Sequence, residues 1–165
     1  MIVAILSDIH DRVESLEKVL KDIKNKDIKS MLFLGDFVAP STAEILFKTG
    51  LETWAIFGNN DGDKASILRK SLTHPKVQLS NTDWMGIKLG DKRVFLTHYP
   101  EIAYLAAKSG EYNAVFYGHN HIAKTETLDN GTLFANPGEI ASTKTGKVTY
   151  IIWDTESGEA NLIEL

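Results

Sequence analysis

The chain has 165 residues, 43% of them apolar and 24% charged, with a formal net charge of -4 and no cysteine. That length suits one domain, 1–165, with a real core, and the missing thiols exclude disulfides, iron–sulfur clusters and thiolate zinc sites. No apolar run reaches the ~18 residues of a membrane span, the N-terminal run lacks a basic flank, and no Lys/Arg cluster is dense enough for a nucleic-acid footprint.

The expectation is therefore a cytoplasmic protein with neither a membrane nor a nucleic-acid polymer as partner. Ile2 to Leu6 is an unbroken, β-branched-rich apolar run and reads as a buried central strand. It stops on Ser7 and delivers Asp8 and His10 to one place. Asp11 and Glu14 then have the form of a helix capping box. Val13, Leu16, Val19, Leu20 and Ile23 recur at helical spacing, which predicts an amphipathic helix from about Arg12 to Lys24. Met31 to Leu34 is a second short strand, closed by Gly35-Asp36, and a helix from Pro40 to about Lys48 follows. Thr53 to Phe57 is a third strand, closed by Gly58-Asn59-Asn60-Asp61, with a helix from about Lys64 to Leu72 behind it. Parallel strands joined by crossover helices put all three polar clusters at one edge of a sheet.

The second half is mostly strands. Trp84 to Leu89 and Lys92 to Thr97 flank Gly90-Asp91 as a hairpin, which ends on His98. Glu101 to Lys108 is a short helix stopped by Gly110. Ala114 to Tyr117 is a strand ending in Gly118-His119-Asn120-His121. Asn130-Gly131 signals a hairpin between 124–128 and 132–135. Asn136-Pro137-Gly138 is a loop, and 148–153 with 160–165 make a last hairpin. Helices clustered early and strands late predict an α/β fold: a four-layer sandwich of two mixed sheets packed face to face, flanked by helices.

Four of the five histidines, His10, His98, His119 and His121, fall at predicted C-terminal strand ends, beside Asp8 and Asp36. Any one of them alone reads as a turn residue; four together argue for a metal centre. A set of imidazoles, carboxylates and the Asn59 amide suits Mn, Fe, Co, Ni or Zn, and is too nitrogen-rich for Ca or Mg. Seven ligands are too many for one ion with an open position and suit two ions sharing a carboxylate.

These residues resemble the calcineurin-like metallophosphoesterases. The series is Asp8-x-His10, Gly35-Asp36, Gly58-Asn59-x-Asp61, Thr97-His98 and Gly118-His119-x-His121, in family order. Asn136-Pro137-Gly138 resembles a loop of the small prokaryotic phosphodiesterase branch. The resemblance implies that Asp8, His10 and His121 hold one divalent ion, manganese first, with nickel, iron, cobalt or zinc as alternatives. Asn59, His98 and His119 would hold a second, and Asp36 would bridge both. It implies a hydrolase in which a metal-bridging hydroxide attacks a small phosphodiester, with Asp36, Asn59, Asn60 and His98 as the catalytic set. A neutral Asn59 leaves such a site net positive, which favours an anionic substrate.

Three departures matter. Many members carry Gly-Asn-His-Asp, whose His protonates the leaving group; here that residue is Asn60, which cannot. No arginine follows Asp36, as it does in protein phosphatases, which lowers the odds of phosphoprotein substrates; a phosphomonoesterase stays an alternative. The family commonly has glycine after the Thr-His pair; here Tyr99 follows, read either as packing or as cleft lining. Asp61 reads either as an acceptor that orients a ligand or as a helix cap, Glu139 as a solvated loop charge, and Trp54, Trp84 and Trp153 as core or edge packing. The rival reading is a protein-interaction scaffold like the retromer small subunit, against which the complete ligand series counts. A homo-oligomer is left open.

Overall fold

The computed structural model describes residues 1–165. In chain order its elements are β1 (Ile2–Leu6), α1 (Val13–Asn25), β2 (Ser30–Phe33), α2 (Pro40–Phe47), β3 (Glu52–Ala55), α3 (Lys64–Ser71), β4 (Val77–Leu79), β5 (Trp84–Leu89), β6 (Lys92–Thr97), α4 (Pro100–Lys108), β7 (Ala114–Phe116), β8 (Lys124–Thr127), β9 (Leu133–Asn136), β10 (Thr149–Asp154) and β11 (Ala160–Glu164). One sheet has the order β11-β10-β1-β2-β3-β4 and the other β5-β6-β7-β9-β8. The strands β1 to β4 run parallel, as do β6, β7 and β9, while the hairpins supply the antiparallel edges. This is the four-layer α/β sandwich that the strand and helix pattern predicts.

Alternation along β1 explains why its apolar run has no gap. Val3 and Ile5 face the second sheet and pack with Leu32, Leu96 and Phe116. Ala4 and Leu6 face outward, beneath Leu16, Val19 and Ile23 of α1. A strand covered on both faces leaves no position for a polar residue. The helix α4 covers the other sheet, where Ala103 and Ala107 meet Phe95, Val115 and Phe134. No helix is long and apolar enough to cross a membrane.

Two local expectations change. Asp11 does not cap α1, whose start at Arg12 has no side-chain cap. Its carboxylate instead accepts from the Ala39 N–H (3.0 Å) and the Thr42 hydroxyl, at the start of α2. The cause is backbone: His10 and Asp11 take φ of 46° and 57°, which turns Asp11 across the rim. The strand β4, three residues long after Pro75, is too short to carry a periodicity and was not expected from the sequence.

Candidate metal centre

The C-terminal ends of β1, β2, β3, β6 and β7 meet at one rim, where the two sheets lean together. The loops that leave them are tightly wound. Asp8, His10, Asp36, Val38, His119 and His121 all have φ between 46° and 77°. Such left-handed backbone costs non-glycine residues roughly 1–3 kcal/mol each and clusters at functional sites. The rim also requires glycine at two close approaches. A Cβ on Gly58 would sit 2.1 Å from Asp36 Oδ1, and one on Gly118 would sit 2.1 Å from Ser7 Oγ.

Asp8, His10 and His121 form one cluster. Asp8 Oδ1 lies 3.3 Å from His121 Nε2 and 3.5 Å from His10 Nε2. The other carboxylate oxygen is occupied, accepting from Ser7 Oγ (2.6 Å) and the His119 N–H (3.1 Å). Asp8 Oδ1 and His10 Nε2 are buried and have no hydrogen-bond partner. Orphaned acceptors this deep are costly unless something binds them. A divalent cation fits: the oxygen and the two ring nitrogens already point at one volume.

Asn59, His98 and His119 form the second cluster. Asn59 Oδ1 lies 2.9 Å from both His98 Nε2 and His119 Nδ1. His98 Nδ1 sits 2.7 Å from the Leu34 carbonyl, which can only accept, so that nitrogen carries the proton and Nε2 faces the site. Between the clusters stands Asp36. Its Oδ2 is 3.4 Å from His10 Nε2 and 3.5 Å from His98 Nε2. Asn60 holds this carboxylate from behind, donating its backbone N–H to Oδ1 (2.8 Å) and its amide to Oδ2 (2.7 Å). Burial alone would raise the Asp36 pKa, but His98 and Asn60 outweigh it and hold the group well below the usual carboxylate range. Burial would lower the His98 pKa, and the Asp36 carboxylate reverses this and raises it. The His119 pKa is pushed down by burial and then by His98.

Asp61 accepts from three backbone N–H groups, those of Gly58 (2.7 Å), Val38 (2.9 Å) and Asp36 (3.1 Å). It therefore ties the loop after β2 to the loop after β3. Burial raises its pKa against those donors.

Glu139 is not the solvated charge that the sequence suggested. It is fully buried. Its Oε2 accepts from His121 Nδ1 at 2.8 Å, so His121 turns Nε2 toward Asp8. Its remaining capacity is filled by the N–H groups of Thr143, Lys144 and Thr145 and the hydroxyls of Thr143 and Thr145. Burial would raise its pKa; these donors lower it to about 2. The sequence carried one hint, the apolar Ile140-Ala141 directly after it. Ser7, the Leu34 carbonyl and Asn136 were also missed as supports. The Asn136 amide donates to the Gly118 carbonyl (3.0 Å) and to Asn120 Oδ1 (2.9 Å), bracing the loop that carries both late histidines.

Comparisons with known proteins agree with the fold. The profile of the calcineurin-like phosphoesterase superfamily domain matches residues 1–158. A phosphodiesterase of Methanocaldococcus jannaschii is 30% identical over 167 residues, spanning 100% of this chain and 99% of that protein. The solved structure of an archaeal phosphodiesterase superposes with a TM-score of 0.92, at 29% identity and 100% coverage of both chains. The YfcE phosphoesterase of E. coli superposes at 0.71, with 20% identity over 99% of this chain and 98% of that one. Vps29 of Entamoeba histolytica does so at 0.71, with 15% identity over 100% of this chain and 99% of that one. These last two are likenesses of fold.

Proposed function

The chain belongs to the calcineurin-like phosphoesterase superfamily, and from that premise we propose that it is a metal-dependent phosphodiesterase acting on a small diester at a two-metal centre. One observation carries the reading: Asp36 Oδ2 lies within 3.5 Å of a ring nitrogen from each of two separate ligand clusters. Asp8, His10 and His121 would hold one ion, Asn59, His98 and His119 the other, and Asp36 both. Two divalent cations, when bound, supply Lewis acidity that activates water as the nucleophile and neutralises phosphoryl charge.

The chain's own residues do the rest. The Leu34 carbonyl and Glu139 hold the Nδ1 atoms of His98 and His121, so each turns Nε2 to the rim. Asn60 keeps Asp36 in one plane and has no proton of useful acidity to give a leaving group. That proton then comes from solvent, which favours leaving groups that need no acid. Residues 1–165 act as one unit, because both sheets contribute ligands.

The test is metal-stripped protein assayed on bis-p-nitrophenyl phosphate and p-nitrophenyl phosphate, with and without Mn²⁺ or Ni²⁺. Metal-restored hydrolysis, faster on the diester, is expected. Hydrolysis of neither would sink the reading, and a clear preference for the monoester would make the protein a phosphatase.

A further inference from the structure

The helix α4 is built inside out. Its buried face carries small side chains, Ala103 and Ala107, with Ala106 beside them, against Phe95, Val115 and Phe134. Its large apolar side chains stand in water: Leu105 is 69% exposed, Tyr104 50% and Ile102 45%. Of the ten large apolar side chains that the whole chain exposes, three fall on these nine residues. Trp84, on the same outer face of the second sheet, is a fourth, and it lines a shallow cleft with Phe95 and Ile102 beside the helix. Tyr99, the N-cap residue, is engaged elsewhere: its ring meets His98 and His119 edge-on, at 5.3 and 5.2 Å between centroids. Single exposed apolar residues need no account, but a patch gathered in one place marks an interaction site.

Charge says what fits this one. Glu101, Tyr104, Leu105 and Lys108 follow at the i, i+3, i+4, i+7 spacing that lines residues along one side of a helix. A carboxylate stands at one end of the stripe and an ammonium at the other, ~10 Å apart along the axis at ~1.5 Å per residue. Neither belongs to an ion pair of the chain. Lys108 only leans over the Tyr104 ring, 5.6 Å from its centroid. The helix dipole accounts for an acid at the start and a base at the end. It does not account for a leucine in water between them.

We propose that α4 is the interface of a two-fold homodimer, its Glu101–Tyr104–Leu105–Lys108 stripe packed antiparallel against the same stripe of a second copy. A two-fold axis across the stripe makes the contact self-complementary. The register that sets Glu101 against the partner's Lys108 also sets Tyr104 against the partner's Leu105, so two ion pairs and two apolar contacts form together. Ile102 and Trp84 then extend the apolar surface along one flank. An acidic or a basic partner would satisfy one end of the stripe and repel the other. Exposed ion pairs contribute little by themselves and here fix the register, while the buried apolar side chains hold the pair. The contact uses no residue of the candidate metal centre.

Sedimentation equilibrium of the full chain tests this. At low salt and up to about 200 µM, where a Kd of tens of micromolar is visible, the mass should rise from 18.3 kDa toward twice that value. Leu105→Asp should stay monomeric with the circular dichroism of wild type, because the side chain is exposed in the monomer. Glu101→Lys should weaken the dimer about tenfold, since it sets like charges together at both ends of the stripe, and adding Lys108→Glu should restore it. Wild type that stays monomeric overturns the proposal. So does a dimer that ignores Leu105→Asp, which places the contact elsewhere. A double variant no tighter than Glu101→Lys overturns the antiparallel register.

Discussion

Glu139 and Asn60 are the two residues whose chemistry the rim most depends on without contributing a predicted histidine or bridging carboxylate. Glu139 accepts from His121 and from both ends of the 143–145 loop. Glu139→Gln keeps the size but turns an amide N–H₂ toward N–H donors. We expect a 10–100-fold loss of metal affinity, the usual cost of removing a ligand's orienting partner, read by chelator competition. A pH effect follows as well. The folded pKa of Glu139 is depressed from 4.5 to about 2. Its contribution to stability is therefore fully present above about 4.5 and is lost as pH falls toward 2. Metal-free wild type should lose urea resistance across that window more steeply than Glu139→Gln, as measured by midpoints at pH 5 and 2.5. Asn60 serves Asp36, so Asn60→His should restore a proton donor and raise the rate on alkyl diesters relative to aryl ones. An unchanged ratio would remove the leaving-group argument.

Between strands, the rim is a set of loops sewn to one another. Asp61 binds backbone N–H groups from two loops, whereas Asp36 meets mostly side chains. Asp36→Asn should abolish hydrolysis and lower the melting temperature of metal-free protein by less than Asp61→Asn does, since its carboxylate accepts from one backbone N–H and not three. Asp61→Asn should lower that temperature by several degrees, since its amide would confront three donors at ~1–3 kcal/mol for the loss. Equal effects in both variants would undo the division of roles. Gly118→Ala should destabilise by ~1–3 kcal/mol in denaturant unfolding, because its Cβ would overlap Ser7 Oγ and crowd Asp8. Much of this rim could be read in the sequence. Apolar runs ending in Asp8, Asp36, Asn59, His98 and His119 are local signals, and crossover geometry converts them into neighbours. What could not be read were tertiary facts. The left-handed φ of Val38 or His121 has no glycine to announce it, Asp11 matched a helix cap and served another helix, and Glu139 looked solvated because its partners lie in a loop with no pattern of its own.

Across the whole molecule, two apolar layers and the helix faces bury the core independently of any ion. Chelation should therefore leave the chain folded, with its far-ultraviolet dichroism intact and its hydrolysis gone. Returning Mn²⁺ should raise the melting temperature with metal concentration, following a gain of ~2.7 kcal/mol at one hundred times the dissociation constant. A melting temperature indifferent to the metal would mean that the rim binds none. The sheet order adds a consequence in time. β1 lies between β2 and β10, so the strand bearing Asp8 pairs early on one side and waits for residues 149–154 on the other. His98, His119, His121 and Glu139 arrive across sequence separations of ninety residues or more from Asp8, the kind of contact that slows folding. During synthesis, Asp8, His10 and Asp36 are assembled long before their partners. His119, His121 and Glu139 follow Asp8 by more than a hundred residues, so an ion held by the proposed centre is expected to load after the second sheet forms and not to seed the fold.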